Sequence, residues 1–410
     1  MKLPQNKPLV VWLRWNENSR LKVGRLAFKS KVFFEFDEEF LKNPLPISPF
    51  QLITRPGVLS GFQPFLEGLP GVFADSLPDG YGRLLVDRIA RSKGGALTAL
   101  DRLAIVGEAG TGALVYEPDN SFKNPRGPLN IDDIAAEAMA ALDGESEEVI
   151  KKIIHLQGGT GGVRPKVLIA YSEENNRMVT TSDAKPGYDH YLLKFAAKQD
   201  PVDIGAIEYA YWMMAKIAGL RVPGAKLFSA KKGPGYFASE RFDITDGDRA
   251  HVHTAAGLLG IDFRTPSLDY ENLLTLCMKL TQDMGEVLAL YRVAVFNVIA
   301  HNRDDHSKQF SFLMSRSGEW KAAPAYDLTF AEGPQGEHFM SVAGEGRQPK
   351  PEHLLKLAST AGIRPAEANA VIEEVTTAVC SWKKHAFEAG VSKGMTNSIA
   401  KALAVFSSRN

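Results

Sequence analysis

The chain has 410 residues, and its content of 44% apolar and 23% charged residues is typical of a globular protein with two or three domains. Lys and Arg number 48, as do Asp and Glu, and a net charge of zero argues against a protein that coats nucleic acid or an anionic membrane by itself. The two cysteines, Cys277 and Cys380, lie in helix-like apolar patterns. These patterns disfavour a disulfide framework or a zinc ribbon and predict buried structural thiols.

The sequence shows neither a signal-peptide pattern nor a membrane-spanning stretch. Arg14 interrupts the apolar run that begins at Leu9. The longest apolar stretch, from Val287 to Ala300, contains Arg292 and is too short to cross a bilayer. A cytoplasmic protein without contact to a membrane is therefore expected.

Residues 1–120 are predicted to form a small α+β domain. Apolar and β-branched residues on either side of a polar turn at 16–20 indicate a pair of hairpin strands. A stretch rich in Pro and Gly at 117–130 marks the expected boundary with the next domain, and Asn130 is a typical residue for capping the helix that follows. The predicted elements are strands over 9–15 and 25–36 and helices over 83–92 and 131–142.

Residues 121–245 are predicted to be rich in strands, and residues 246–410 are predicted to be helical. Two such halves are the layout of a two-lobed domain with a cleft between the lobes. The predicted strands cover 166–171, 177–181, 191–195, 225–228 and 236–241, with one helix over 204–218; the later helices cover 270–281, 285–300, 352–361, 365–387 and 393–406.

The polar run from His301 to Gln309 is the most informative segment of the chain. It follows an apolar helix that should be buried, so it must face a cleft or water, and a predicted hairpin (310–314 and 320–322) leads from it to Asp327. This order suits phosphoryl transfer, in which Asp304 would orient or deprotonate a hydroxyl group and Asp327 would hold Mg²⁺ against the phosphates. The alternative is that these aspartates only form turns and cap helices.

A glycine cluster at residues 158–162 stands just before the strand at 166–171. Glycines let a backbone approach phosphate oxygens closely and donate N–H groups to them. The pattern is not the GxxxxGK[ST] loop, because no Lys-Ser/Thr pair ends it and no helix follows. A flexible turn is therefore an open alternative, and Thr160 within it is either a phosphorylation site or a turn residue.

Lys194 lies in an apolar strand, where a lysine needs an anionic partner unless the strand is an edge facing solvent. Glu208, at the start of the next helix, is the candidate partner. A strand lysine paired with a helix glutamate is how a kinase fixes the α- and β-phosphates of ATP. Glu240 and Phe242 follow the last strand of the middle region, where a hinge would offer backbone groups and an aromatic wall to an adenine.

His301 and His306 flank a pair of aspartates, an arrangement that would also suit the metal of a phosphohydrolase. However, no further His or Asp residues with usable spacing complete such a site. A phosphohydrolase would also not need the strand that carries Lys194.

Motifs in a fixed order along nearly the whole chain resemble the HipA family, the kinase toxins of bacterial toxin–antitoxin pairs. These motifs are residues 73–83 with 107–116, 161–166, 191–195, 219–223, 240–243, 302–308 and 326–327. The resemblance implies an α+β fold in which a two-lobed protein-kinase-like domain, with a strand-rich N-lobe and an all-helical C-lobe, follows an N-terminal α+β subdomain. The expected domains are 1–120, 121–245 for the N-lobe and 246–410 for the C-lobe.

The resemblance also implies roles for single residues. Asp304 would be the catalytic base, Asp327 a Mg²⁺ ligand, and Lys194 the lysine that binds the phosphates of ATP. The residues expected to line the nucleotide site are Gly159, Thr160, Gly161, Gly162, Lys166, Lys194, Glu208, Glu240, Phe242, His306 and Lys308.

The activity that the resemblance implies is transfer of the ATP γ-phosphate to Ser or Thr of a protein substrate. The implied partner is a small DNA-binding antitoxin of the HipB type, so that DNA is contacted only through the antitoxin.

Two positions depart from the family pattern. Gln309, the expected second metal ligand, stands where the family usually has Asn, and Gly159 aligns with a serine that the family autophosphorylates. Three hypotheses follow, namely an active kinase toxin, an ATP-binding regulator with weak or no kinase activity, and a metal-dependent phosphohydrolase.

Overall fold

The computed structural model describes residues 8–122, 127–144, 146–181 and 186–407. Its fold is mixed α/β, with two five-stranded sheets followed in chain order by a mainly helical region. Residues 123–126, part of the predicted boundary stretch, lie outside the described residues. The domain boundaries at 120 and 245 stay predictions.

The N-terminal region is built on an antiparallel sheet. Its elements are β1 (Leu9–Asn16), β2 (Ser19–Phe28), β3 (Val32–Phe36), α1 (Glu38–Lys42), β4 (Val58–Ser60), α2 (Gly71–Ala74), α3 (Gly80–Ser92), α4 (Ala99–Val106) and β5 (Leu114–Glu117). The strand order is β4-β3-β2-β1-β5, and alternate residues of β1 face the core, as the two-residue period of a strand requires. The predicted strand over 25–36 is wrong in one respect, because a bend at 29–31 divides it between β2 and β3.

The second sheet is antiparallel, in the order β7-β6-β8-β10-β9. The elements of this region are α5 (Ile131–Asp143), α6 (Glu147–Gln157), β6 (Lys166–Ser172), β7 (Arg177–Thr180), β8 (Asp189–Lys194), α7 (Ile204–Ile217), β9 (Ala225–Phe228), β10 (Tyr236–Glu240), β11 (Ile244–Thr245) and β12 (Asp248–Arg249). The five strands and the helix predicted here are confirmed, whereas α6 has no predicted counterpart. Asn130 caps α5 as predicted, since its side chain accepts a hydrogen bond from the N–H of Asp133.

The remaining region is mainly helical but not all-helical, which corrects the prediction. Its elements are β13 (His251–Thr254), α8 (Ala255–Leu259), α9 (Tyr270–Thr281), α10 (Met284–Ile299), β14 (Ser311–Met314), β15 (Trp320–Ala322), α11 (Pro351–Thr360), α12 (Pro365–Cys380), α13 (Trp382–Glu388) and α14 (Lys393–Ser407). Strand β13 pairs with the predicted hairpin β14–β15 in a three-stranded sheet. The predicted helix over 365–387 is two helices, because α12 ends at Cys380 and Ser381 separates it from α13.

The largest core joins the middle region to the helical region. Helix α7 contributes Tyr211, whose ring meets Phe296 and Trp382 edge to face. Cys277 is buried as expected, but Cys380 is exposed, which corrects the prediction for that thiol. Among the helices of the described ranges, none is both long and apolar enough to cross a membrane.

The N-terminal region is fixed to the rest of the chain by buried polar contacts. The carboxylate of Asp75 accepts hydrogen bonds from His253 Nδ1 at 2.6 Å and from the N–H and hydroxyl of Thr254, both at 2.8 Å. Likewise, Asp243 accepts from the N–H of Gly112 at 2.6 Å. Buried carboxylates need such partners, so the two parts are held in one arrangement.

Candidate functional site

A cavity of ≈ 480 Å³ opens where the N-terminal region, the second sheet and the segment 301–310 meet. This volume is within the range of small-molecule sites. Every residue predicted for the site, except Asp304, lines the cavity. The structure therefore brings together side chains that are spread over residues 159–327 of the sequence.

Lys194 and Glu208 form the buried ion pair that the sequence predicted. Nζ of Lys194, on β8, lies 2.7 Å from Oε2 of Glu208, on α7, and it also donates to Oδ1 of Asp327. Burial by itself would lower the pKa of Lys194, but the carboxylates of Asp327 and Glu208 raise it. The ammonium therefore stays charged, and an anionic ligand would meet a fixed cation here.

Asp327 has a backbone φ of 57°, in the left-handed region. This conformation is uncommon for a residue other than glycine, and such outliers cluster at functional sites. Burial opposes ionisation of the Asp327 carboxyl, but the charges of Lys194 and Lys166 lower its pKa. Nε2 of Gln309 donates to Oδ2 of Asp327 at 2.8 Å, so this contact does not use the amide oxygen of Gln309.

Asp305 anchors the segment 301–310 in the protein interior. Its carboxylate, 1% exposed as a residue, accepts from the hydroxyl of Tyr270 at 2.7 Å, from His338 Nδ1 at 2.8 Å and from the N–H of Phe339 at 2.8 Å. A buried carboxylate with three donors holds its backbone firmly in place. Asp305 is thus a structural residue of the loop.

Asp304, the next residue toward the N-terminus, is exposed. Although the residue is exposed, incomplete hydration of its carboxyl and the negative charges of Asp327 and Asp305 raise its pKa to about 6. A carboxylate with such a pKa can accept a proton near neutral pH. The arrangement therefore leaves Asp304, and not Asp305, for chemistry with an incoming group.

The glycine cluster fits tightly against its surroundings at Gly159 and Thr160. Gly159 has a φ of 75°, and a Cβ atom there would lie 2.9 Å from the side chain of Val106, so a serine does not fit this conformation. Thr160 is 4% exposed, and its hydroxyl has no hydrogen-bond partner within the described ranges. Phosphorylation of Thr160 would require the loop to leave this position.

The second half of the cluster is bonded to protein groups. The N–H of Gly162 donates to Oδ1 of Asp79, and Nζ of Lys166 donates to the carbonyl of Gly161. In this conformation the N–H of Gly162 is occupied by Asp79, and the phosphate-binding role of Gly162 stays a prediction.

The segment after β10 contributes an aromatic pair to the lining of the cavity, and its role as a wall for adenine stays a prediction. The ring of Phe242 stacks on that of Tyr326, with centroids 5.5 Å apart and planes inclined by 27°. The N–H of Glu240 already donates to the carbonyl of Gly224 at 2.7 Å, and its carboxylate accepts from the hydroxyl of Tyr191 at 3.2 Å. The N–H of Glu240 is thus not available to a ligand in this conformation.

The two histidines do not form a metal site. His301 stacks on Phe330, and Nδ1 of His306 accepts a hydrogen bond from the N–H of Lys308 at 3.2 Å. Within the described ranges, no group of three or more His, Cys, Asp or Glu residues is placed to hold a metal ion. The described residues therefore do not assemble the ligand set of the phosphohydrolase hypothesis, whereas a Mg²⁺ bound together with phosphates needs only one or two carboxylates.

Two charged residues of the site were not predicted. Asp79 lies in a Pro-Asp-Gly sequence typical of a turn, yet it pairs with Nζ of Lys308 at 2.6 Å, across 229 positions of sequence. Arg164, beside the glycine cluster, pairs with Asp200 at 2.8 Å. The sequence shows Lys308 and Arg164 within the motifs as basic residues, but it does not show which carboxylates they contact. Those partners, Asp79 and Asp200, lie 229 and 36 positions away along the chain.

Comparison with known proteins identifies the family. The model described as the HipA-like C-terminal domain matches residues 158–382, more than half of the chain, and that of the HipA N-terminal domain matches residues 15–117. No curated protein matches the sequence.

Two solved structures match the chain, the first of them with a similar fold. The first, HipA of Shewanella oneidensis MR-1 in the complex of that toxin–antitoxin system with HipB and operator DNA, has a TM-score of 0.69 and 16% identity, over 98% of this chain and 96% of that one. The second, the Helicobacter pylori proinflammatory kinase CtkA, has a TM-score of 0.33 and 13% identity, over 51% of this chain and 92% of that one, which is too distant to support an argument. Both regions of the chain match models of one family, and the chain belongs to the HipA family.

Proposed function

We propose that the chain is a protein serine/threonine kinase that uses ATP and Mg²⁺ and acts as the toxin of a toxin–antitoxin pair. The observation that carries the proposal is the contact of the Lys194–Glu208 ion pair with Asp327 in the cavity, with Asp304 near enough for the charge of Asp327 to raise its pKa. A strand lysine, a helix glutamate and a metal-binding aspartate are the parts that must come together in a kinase. Under this proposal the second sheet with α7 is the N-lobe, and residues 246–410 form the C-lobe of a kinase-like fold.

Each part of the site has a role in the proposed reaction. Lys194 binds the α- and β-phosphates, and the stacked rings of Phe242 and Tyr326 form a wall for the adenine. Asp304 takes the proton of the attacking hydroxyl as its oxygen bonds to the γ-phosphorus, while the bond from that phosphorus to the bridging oxygen of ADP breaks.

The residues of the site fit a hard cation. The carboxylate of Asp327 is ionised, and the amide oxygen of Gln309 is not used by Asp327, so the two supply the oxygen ligands that Mg²⁺ prefers. When bound, the ion would neutralise charge on the phosphates.

A partner follows from the family. In the Shewanella oneidensis structure HipA is in complex with HipB and operator DNA. We infer a HipB-type antitoxin for this chain, with DNA reached through that antitoxin, and the net charge of zero agrees with indirect contact.

Incubation of the purified chain with Mg²⁺ and γ-labelled ATP, together with extracted cellular proteins, tests the proposed activity. We expect labelled phosphoserine or phosphothreonine, and loss of the label with Lys194→Met, which removes the cation but keeps an apolar stem of similar length. If ATP raises the melting temperature of the wild-type protein but no label is transferred, the alternative of an ATP-binding regulator is correct. The specific observation that favours this alternative is Gln309 at a metal-ligand position.

The pKa of Asp304 predicts how the rate depends on pH. A base with a pKa of about 6 is protonated below that pH and ionised above it. We therefore expect kcat/KM, which reports the free enzyme, to fall about tenfold per pH unit below pH 6 and to level off above about pH 7. Initial rates with the MgATP complex as the varied substrate and little free Mg²⁺ will measure the profile, and a flat profile from about pH 5 to pH 7 would show that Asp304 is not the base.

A further inference from the structure

Asp79 belongs to the N-terminal region but reaches into the cavity. It precedes α3, and its side chain makes no capping hydrogen bond to that helix. Its carboxylate instead bridges two other parts of the chain, accepting from the N–H of Gly162 with Oδ1 and from Nζ of Lys308 with Oδ2 at 2.6 Å. The side chains of Asp79 and Lys308 are only 15% and 17% exposed.

The contact between residues 79–81 and the glycine cluster is closely fitted. The N–H of Tyr81 donates to the carbonyl of Gly162 at 3.0 Å, so both sides of the Gly162 residue are bonded to the N-terminal region. Gly80 permits this approach, because a Cβ atom there would lie 2.4 Å from the carbonyl oxygen of Gly162. A Cβ atom at Gly161 would likewise lie 3.0 Å from Oδ1 of Asp79.

The partners of Asp79 are groups that bind phosphate. Backbone N–H groups of a glycine-rich loop and a lysine ammonium are typical donors to phosphate oxygens. Burial opposes the charge of Asp79, but Lys308 and the N–H of Gly162 lower its pKa, so it is an anion at neutral pH. Lys166 and Lys194 line the same cavity. A carboxylate thus lies among cations and donors suited to phosphate.

We propose that the Asp79 carboxylate occupies a phosphate subsite in the ligand-free protein, and that a nucleotide must displace it to reach Gly162 and Lys308. The inference rests on the proposed nucleotide site and adds to it a competitor that the N-terminal region supplies. Asp79 should weaken binding in proportion to the number of phosphates on the ligand. It should not affect the adenosine part, which would contact Phe242 and Tyr326 elsewhere in the cavity.

Asp79→Asn tests this, because it keeps the shape and an oxygen for Gly162 but removes the negative charge that pairs with Lys308. Calorimetric titration of the full chain with adenosine, ADP and ATP, at one fixed Mg²⁺ concentration, measures each Kd. We expect the variant to bind ATP about tenfold more tightly, as loss of one charged competitor predicts. ADP should gain less than ATP, and adenosine should bind both proteins equally.

Asp87→Asn is the matched control. Asp87 lies on α3, the helix that Asp79 precedes, and pairs with Arg102 at 2.9 Å, but it does not line the cavity. This control should leave all three Kd values unchanged. A gain in ATP affinity cannot come from misfolding; if Asp79→Asn does not fold, Asp79→Ala serves in its place.

The outcomes separate the inference from the proposed function. If the wild-type protein binds ATP but Asp79→Asn binds it equally or more weakly, Asp79 does not compete with phosphate and the inference is wrong. An equal gain for adenosine would also overturn it, since the effect would not depend on phosphate. If the wild-type protein binds no adenine nucleotide, both the proposed function and the inference fail.

Discussion

Replacing Asp304 with alanine should abolish phosphoryl transfer while leaving the fold and nucleotide affinity nearly unchanged. Asp304 is exposed, and the neighbouring Asp305 anchors the loop without any contribution from Asp304. The substitution removes only the proton acceptor for the hydroxyl group, and we expect kcat to fall by about 10³-fold, within the range for general-base residues. Lys194 and Phe242, which would hold the nucleotide, are not altered.

Three measurements on Asp304→Ala check this expectation, namely kcat at saturating ATP, the Kd for ATP and the melting temperature. Glu332→Ala is a control, since its side chain is 72% exposed close to the same segment. It should keep the wild-type kcat. If Asp304→Ala retained more than about a tenth of the wild-type kcat, Asp304 would not be the base.

The adjacent substitution, Asp305→Ala, should act on stability. It leaves the buried hydroxyl of Tyr270, the Nδ1–H of His338 and the N–H of Phe339 without their acceptor. Buried donors left without a partner are costly, and we expect the free energy of unfolding to fall by about 3–5 kcal/mol. Activity should be lost as well, because the segment that positions Asp304 loses its anchor.

Urea denaturation followed by circular dichroism measures this change, and Asp304→Ala is its matched control. Each variant removes one aspartate carboxylate, and the two positions are adjacent. The difference between their denaturation midpoints therefore measures the contribution of the buried hydrogen bonds of Asp305 to stability. A midpoint for Asp305→Ala equal to that of Asp304→Ala would contradict a structural role for Asp305. Recovery of stability without activity in Asp305→Asn would indicate that the loop needs the charge as well as the acceptor.

The sequence predicted those parts of the fold that depend on local pattern. The strands of the second sheet follow from runs of apolar and β-branched residues. The cap at Asn130 follows from a side-chain acceptor directly before a helix. Both signals depend only on residues that are neighbours in the sequence. The break between β2 and β3 lies at Lys29–Lys31, where no Gly or Pro marks the turn. Strand β13 was missed because it is only four residues long and pairs with a hairpin about 60 positions later.

The sequence predicted which residues form the candidate site better than it predicted which of them contact one another. The motif residues, apart from Asp304, do meet in one cavity, because the fold places the strands, the helix and the loops that carry them around it. The pairing of Asp79 with Lys308 and the bond from Gln309 to Asp327 depend on tertiary contact between distant residues. Periodicity and spacing carry no information about such contacts. The hydrogen bonds that occupy Gly161 and Gly162 of the glycine cluster could therefore not be predicted.

Asp75 and Asp243 make buried contacts that join the N-terminal region to the rest of the chain. These contacts limit how the chain can be cut into fragments and which substitutions it tolerates. A fragment lacking the N-terminal region would expose His253 and Thr254 without Asp75, and Asp243 without the N–H of Gly112. Each of the two parts would then carry polar groups that have lost their hydrogen-bond partners. We expect the separated halves to require co-expression to become soluble. Substitutions on one side of this junction should persist in nature only together with matching changes on the other.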